Sequence, residues 1–568
     1  MPRMSFLDAS RIRFVAIVVG ILTISTALPQ QGRAANVVEN SSSSNTLTSP
    51  TPPLFAPVTI WRSGGYWANA VAFADLNGDG RSDVVVANCG SSGVLACPGG
   101  TSDQLGVLLG RGDGSFGPTT TYDSGGFGGT SVAVADLNGD DRLDVVVANF
   151  FLDPNTGAEG GVGVLLGNGD GTLRTARSYL SGAVTATSLS IADVNADGRP
   201  DLVVANSVGV AGGCYGGCIG ILLGIGDGTF HPAVLYGAGP QSAYAVAVAD
   251  LNGDGKLDLA VTNQCINSSS CPDTAGVEVL LGKGDGSFQV AIAYGSGGYD
   301  AMSVAVDDVN ADGAADIVVA NVCADAGCRG LIGVLLGNGD GTFRRAATYD
   351  SGGYYANSVV IADVNGDGNV DLTVAHSCLS ASSCLGGVGI LVGNGAGTFS
   401  TPVIYSSGAF VAWGVAVGDL NGDGKADIIA ANESAGGADG YVGVLLNETV
   451  FDDDPPVITL SADPAVLWPP DGRMTPVSIF GTIRDAGSVV DVDSASYIVR
   501  DEYAKAEVRG SVTLEADGHF VFDVLLQALR VGSDANGRRY FITVQAKDKA
   551  GNQGSETRVV LVAHDQRP

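Results

Sequence analysis

A chain of 568 residues with a formal net charge of −31 is long enough for more than one domain and lacks the basic footprint that nucleic-acid binding needs. The same acidity argues against docking on an anionic lipid surface unless calcium bridges the two.

At the N-terminus Arg3, Arg11 and Arg13 precede an apolar run at 14–28. Ser25-Thr26-Ala27 offers small residues for cleavage, and 31–35 a later alternative. Residues 1–35 therefore read as a secretory signal. An apolar run of about 15 residues falls short of the ~20 that a spanning helix needs, and no later segment is long enough to span. Residues 36–55, rich in Ser, Thr, Pro and Asn, read as a disordered linker.

From 56 to 449 one stretch recurs. Its first copy is Asp75-Leu-Asn77-Gly-Asp79-Gly80-Arg81-Ser-Asp83, and six others start at Asp136, Asp193, Asp250, Asp308, Asp363 and Asp419. The starts lie 61, 57, 57, 58, 55 and 56 residues apart, and a fixed period of this size signals a repeat architecture. Oxygen side chains stand at positions 1, 3, 5 and 9, and the backbone carbonyl of position 7 can add another. The candidate metal ligands are Asp75, Asn77, Asp79, Arg81 and Asp83 in the first loop, and Asp136, Asn138, Asp140, Arg142 and Asp144 in the second. The third offers Asp193, Asn195, Asp197, Arg199 and Asp201, and the fourth Asp250, Asn252, Asp254, Lys256 and Asp258. The fifth offers Asp308, Asn310, Asp312, Ala314 and Asp316, and the sixth Asp363, Asn365, Asp367, Asn369 and Asp371. The seventh offers Asp419, Asn421, Asp423, Lys425 and Asp427.

Calcium is the expected occupant, up to seven ions. It is a hard cation that takes six to eight oxygens in flexible geometry, whereas magnesium demands a smaller octahedral site and keeps its waters. Transition metals want His or thiolate, and the loops contain neither. The bland alternative is a good turn, because Asn, Asp and Gly favour turns; but a turn needs no carboxylate at position 9. Copies differ in detail. Asp141 stands where the others have Gly at position 6, at some strain, and Asp307 adds charge before Asp308. Seven divalent ions would bring the net charge to about −17.

Each repeat reads as four short strands. In the second copy they are 131–135, 143–148, 161–166 and 173–179, with no helical periodicity between them. Four antiparallel strands tiled radially make a β-propeller, and seven copies make seven blades. The last repeat ends at 444–447 without a fourth strand, while Pro57-Val-Thr-Ile-Trp-Arg-Ser-Gly-Gly65 resembles Pro118-Thr-Thr-Thr-Tyr-Asp-Ser-Gly-Gly126. The N-terminal strand is therefore expected to complete the last blade and close a ring, with an open solenoid as the rival.

Ten cysteines fall in close pairs: Cys89/Cys97, Cys214/Cys218, Cys265/Cys271, Cys323/Cys328 and Cys378/Cys384. Repeats two and seven lack the whole pair. This all-or-none pattern points to local disulfides in an oxidising compartment. Zinc is the alternative, though two thiolates without His make an incomplete site.

The Asp-x-Asn-x-Asp-Gly-x-x-Asp loop, followed by segments such as Gly333-Val-Leu-Leu-Gly-Asn-Gly-Asp-Gly-Thr-Phe343, resembles the FG-GAP/VCBS repeat family. It is similar to the calcium-bearing blades of integrin α-subunit propellers. The resemblance implies a seven-bladed propeller with calcium held at positions 1, 3, 5, 7 and 9. Asn at position 3 in every copy lowers the ligand charge relative to the Asp common in integrins.

Residues 450–456 read as a second linker and 457–568 as another domain. Apolar runs at 457–460, 477–483, 494–499, 508–514, 520–526, 540–546 and 558–562 suit an immunoglobulin-like sandwich. The segment Asp548-Lys-Ala-Gly-Asn552 resembles the late hairpin of bacterial Ig-like domains. The fold class expected is thus all-β, a seven-bladed β-propeller followed by an Ig-like β-sandwich.

Other constellations carry less. Arg111-Gly-Asp113 is one variant of a repeated hairpin turn, which reads Asn-Gly-Asp at 168 and Lys-Gly-Asp at 283. His231, His376, His519 and His564 do not recur with the repeats or show a nucleophile partner. Tyr122, Tyr236, Tyr294, Tyr349 and Tyr405 precede Ser/Gly turns and read as blade-to-blade packing, with a face of aromatics for ligand contact as the alternative. The expected function is a secreted or cell-surface, non-catalytic adhesion or ligand-binding module for an extracellular protein or glycan. A lyase or hydrolase acting on extracellular polysaccharide, and a passive spacer of a surface assembly, are the alternatives.

Overall fold

The computed structural model describes residues 53–89, 104–153, 159–207, 214, 216–240, 242–264, 276–324, 327–434, 439–449, 455–485, 490–503, 507–515, 517–529, 537–548 and 552–563. The expected signal and most of the first linker lie outside the described residues. The chain forms two compact units, with the main division after Thr449. Among the described residues no helix is long and apolar enough to cross a membrane.

In the first unit each repeat folds as four antiparallel strands. In the second they are Phe127–Ala135, Asp144–Phe151, Gly161–Leu165 and Arg177–Leu180, in that order across the sheet. The fourth begins later than the sequence suggests, because Gly167 and Leu173 first pair as an isolated bridge across the turn. The second strand, Asp-Val-Val-Val-Ala-Asn, is buried from Asp144 to Asn149. A continuous run of β-branched residues suits a strand covered on both faces, and here the adjoining blades cover it. Two strands of 16 residues, Ala347–Ala362 and Val403–Gly418, each serve as the outer strand of one blade and the inner strand of the next.

Inner strands of successive blades lie side by side, and the first, Tyr66–Ala74, packs against the last, Val403–Gly418. The seven four-stranded units therefore close into a ring. Closure uses the N-terminal strand: Thr59–Arg62 pairs antiparallel with Tyr441–Leu445, Thr59 opposite Val444. Phe55 bridges Asn447, and the Glu448 N–H donates to the Leu54 carbonyl at 2.8 Å. Phe55, expected at the end of a linker, is only 6% exposed; residues 53–55 belong to the propeller. A ring closed this way leaves fewer open sheet edges.

The seams between blades repeat as regularly as the strands. Tyr179 meets Phe230 edge to face at 5.6 Å, Tyr236 meets Phe288 at 5.4 Å, Tyr294 meets Phe343 at 5.5 Å and Tyr349 meets Phe399 at 5.5 Å. Trp61–Phe116 and Tyr405–Phe55, at 5.6 and 5.3 Å, do the same on either side of the closing blade. In the remaining seam Tyr122 packs in one apolar cluster with Leu173. Edge-to-face pairs add to plain burial, so the tyrosine row is seam packing.

A second device crosses most seams. A serine after the outer strand meets an asparagine 25 residues later in the next blade: Ser124 Oγ donates to Asn149 Oδ1 at 2.9 Å, and Ser181 Oγ to Asn206 Oδ1 at 2.6 Å. In the sixth blade His376 replaces the asparagine, with Nε2 2.9 Å from Ser351 Oγ. Burial pushes the His376 imidazole down to about 4, only partly offset by nearby Asp350. Its unfolded value of 6.5 lies above the folded one. The neutral ring therefore contributes stability above pH 6.5 that is lost as pH falls toward 4, up to about 3 kcal/mol. His376→Asn, which restores the residue of the other blades, should flatten the fall of the melting temperature between pH 6.5 and 4 relative to the parent. Equal slopes for the two proteins would refute this.

The second unit is a two-layer β-sandwich. One sheet orders Val457–Asp463, Met474–Arg484 and His519–Gln527; the other orders Val466–Leu467, Gln553–Val562, Arg538–Asp548, Val490–Asp501 and Glu507–Ser511. Val477, Ile479, Phe520 and Val524 of the first meet Val499, Ile542, Val544 and Val560 of the second in one core. All seven expected runs lie in or overlap these strands. The short Val466–Leu467 pairs parallel with 561–562 and is too brief to show in an apolar pattern.

Candidate metal loops

Each Asp-rich loop begins where an inner strand ends, so all seven gather at one end of the ring. The loops are shaped by their own side chains. Asp75 Oδ1 accepts from the Asp79 N–H at 3.0 Å and its Oδ2 from the Gly80 N–H at 2.8 Å. Asn77 Oδ1 accepts from the Asp79 N–H at 2.9 Å, and Asp79 Oδ1 from the Arg81 N–H at 2.9 Å. The same bonds recur at Asp193, Asn195 and Asp197, at Asp250, Asn252 and Asp254, at Asp308, Asn310 and Asp312, and at Asp419, Asn421 and Asp423. In the second loop Asp136 accepts from Asp140 and Asp141, and Asp140 from Arg142.

The tight turn needs left-handed backbone at positions 4 and 6. Asp141 takes a φ of 62° at position 6, as its sequence position requires, and Ala196 and Ala311 take 58° at position 4, where the other loops have Gly. The alanines carry strain that the sequence reading did not flag.

Position 9 behaves differently from the rest. Asp83 Oδ2 accepts from the Leu76 N–H at 3.0 Å, and its Oδ1 from the Gly110 N–H at 2.7 Å in the next hairpin. All seven equivalents, through Asp144, Asp201, Asp258, Asp316, Asp371 and Asp427, are buried and bonded in the same way. Burial pushes Asp83, Asp144, Asp201, Asp258, Asp316 and Asp427 up to about 6, against the pull of those two N–H donors. The ninth residue thus ties loop to hairpin.

Among the described residues no three His, Cys, Asp or Glu side chains gather as a ready metal cluster. What each loop presents is two carboxylates, an amide oxygen, a backbone carbonyl and the inward ninth carboxylate. That all-oxygen set suits calcium, which accepts carboxylates, amides and carbonyls together. In the second loop Asn138 Oδ1 is buried without a hydrogen-bond partner, an acceptor to spare for a cation.

The loops are also joined to their neighbours. The Gly286 N–H of the fourth blade donates to the Val194 carbonyl at position 2 of the third loop, and Gly397 to Val309 likewise, at 3.2 and 3.1 Å. At the opposite end lie the cysteine-bearing connections. Cys214–Cys218, Cys323–Cys328 and Cys378–Cys384 are disulfides, and Cys89 is also disulfide-bonded; Cys97, Cys265 and Cys271 lie outside the described residues. The Arg111-Gly-Asp113 tripeptide is a hairpin turn closed by the Gly110–Phe116 bridge, with Asp113 Oδ1 accepting from the Ser115 N–H at 3.0 Å.

The FG-GAP-like repeat matches residues 94–147, 151–204, 209–261, 322–374 and 378–430, and the FG-GAP repeat matches 67–101. Together they span just over half of the chain. The chain belongs to the FG-GAP repeat family. Each of the longer matches runs through the third and fourth strands of one blade into the first two of the next, so the family unit spans a seam. No curated protein matches this FG-GAP protein. Among solved structures, that of BBS1N in complex with ARL6DN, soaked with mercury, is similar at 11% identity with a TM-score of 0.44, covering 69% of this chain and 96% of that one.

Proposed function

We propose that this FG-GAP protein works outside the cytoplasm as a calcium-stabilised propeller that presents a non-catalytic adhesion or ligand-binding face to an extracellular protein or glycan. The sevenfold recurrence of one all-oxygen loop at one end of the ring carries the reading. It is supported by the disulfides, which suit an oxidising compartment, and by the N-terminal apolar run. The face opposite the loops holds the connections in which the repeats differ most, and these are the proposed contact surface. The C-terminal sandwich is proposed as an Ig-like module.

Glycan-array and pull-down screens with calcium present test the binding reading; no specific partner in either would sink it. The metal reading has a finer test. Asp79→Ala removes a proposed ligand of one loop and leaves six, since units of a repeat array couple mainly to neighbours. Titration calorimetry should show the stoichiometry falling by about one calcium. An unchanged stoichiometry would remove Asp79 from the ligand set.

A further inference from the structure

The end of the central channel opposite the Asp-rich loops opens as a cavity of about 230 Å³. Its wall is the same position of each inner strand, six residues before the loop: Asn69, Thr130, Thr187, Tyr244, Met302, Asn357 and Trp413. The repeats that agree so closely in their loops and second strands disagree here. Trp67 and Phe127 add two more aromatic rings.

Among the described residues one charged group lines this cavity. Glu433 stands fourteen residues after the loop start, where the other repeats have Cys89, Phe150, Ser207, Gln264, Val322 and Ser377. Trp413 Nε1 donates to Glu433 Oε1 at 2.6 Å. Among the described residues no cation pairs with the carboxylate, and burial raises its proton affinity against the pull of the Trp413 N–H. A half-buried carboxylate without a counter-charge is costly unless a cation joins it.

Three other polar side chains of the wall are spent on the ring itself. Asn69 Nδ2 donates to the Gly129 carbonyl at 2.8 Å, Thr187 Oγ1 to the Ala205 carbonyl at 3.1 Å, and Asn357 Nδ2 to the Ala412 carbonyl at 2.8 Å. Ser188 Oγ and Ser358 Oγ are buried without a hydrogen-bond partner, too few to read the many hydroxyls of an oligosaccharide. The volume also lies below the ~300 Å³ at which ordinary ligand pockets begin, which suits a head group rather than an oligosaccharide.

The backbone is bent to build the mouth. Each inner strand shifts register here, and Trp67 and Val411 take φ of 38° and 27°. Left-handed backbone at a bulky or β-branched residue is rare and gathers at functional sites. The Val411 N–H is held by the carbonyl of Cys384, 3.3 Å away, so the Cys378–Cys384 disulfide loop fixes the strand that carries Trp413.

We propose that this channel mouth binds an organic cation, an alkylated ammonium group placed among Trp67, Tyr244 and Trp413 and neutralised by Glu433. Aromatic faces attract such cations through their quadrupoles, and a desolvated setting strengthens the attraction. The site is separate from the calcium loops and stands whether or not they fill.

Choline is the probe, titrated into the full chain with calcium present and followed by calorimetry and tryptophan fluorescence. Saturable binding is expected, at least about tenfold tighter than for neopentyl carbinol, in which carbon replaces the charged nitrogen. Glu433→Gln keeps an acceptor for the Trp413 N–H and should weaken choline binding about tenfold or more, with neopentyl carbinol little changed. No saturable choline binding, or equal affinity for the two probes on the parent protein, overturns the proposal without recourse to any variant. An unchanged choline affinity in folded Glu433→Gln overturns it as well. Sedimentation with phosphatidylcholine vesicles then tells whether the cation arrives free or as a lipid head group.

Discussion

Chelation should lower the melting temperature of the propeller by roughly 10 °C or more. A ligand bound only by the folded state stabilises it by about 2.7 kcal/mol per site at a hundredfold excess over its Kd. Several such sites acting together exceed the whole stability of an ordinary domain. The geometry says why the effect should reach beyond the loops. Positions 1 and 5 place two carboxylates in one small loop, met by backbone N–H groups, while Arg81 and Lys256 bring a positive charge to the position-5 carboxylate of their own loops, at 3.9 and 3.2 Å. A cation removes that repulsion. Because Gly286 and Gly397 bond to the neighbouring loops, a loosened loop also loosens a seam. Calorimetric scans with calcium and with a chelator, alongside elemental analysis of the purified protein, check this. A melting temperature indifferent to chelation, or no stoichiometric calcium, would end the calcium reading.

The sequence made the ring legible because its constraints recur. A loop with four fixed oxygens, a second strand of Val and Ala, and an N-terminal segment matching the missing fourth strand each appear at one period. Period is what a repeat fold needs, since each blade buries its faces only against its neighbours. Thr59–Arg62 sits beside Tyr441–Leu445 as the match of 57–65 to 118–126 implied. What escaped was whatever depends on long-range approach. Phe55 looks like linker until Asn447 arrives beside it. Position 9 shows no structural task beyond its expected ligand role until the next hairpin delivers the Gly110 N–H to Asp83. The channel mouth escaped for the opposite reason: its residues lie in seven repeats and differ in each, so no periodic pattern marks them. Glu433 is conspicuous only once Trp413 is seen to hold it. In the C-terminal unit the alternating runs located the strands, but not the ion pair beneath them.

That pair makes the second large expectation. Asp501→Ala should destabilise the sandwich by about 3–5 kcal/mol, because it leaves a buried guanidinium uncompensated. Arg538 and Asp501 have side chains 9% and 0% exposed, bonded through Nη2 and Oδ2. Two further contacts hold the guanidinium: Nη1 donates to the Leu529 carbonyl at 3.2 Å, and the Tyr540 ring lies 4.7 Å from Cζ, while Nε is buried without a hydrogen-bond partner. These contacts hold the charge in place, so it cannot swing out to water when its partner is lost. Asp501→Asn, which keeps an acceptor without the charge, should cost less. Replacing both partners with apolar residues, Asp501→Leu with Arg538→Met, should cost less than Asp501→Ala, since neither charge is then stranded. A domain of this size moves by several degrees for each kcal/mol, so the shift is large in a thermal scan. It should fall on the transition of the sandwich, whose strands carry both residues. A loss below about 1 kcal/mol for Asp501→Ala would show that the pair behaves as an exposed one. A double variant as unstable as the single would show that the buried charge is not the cause.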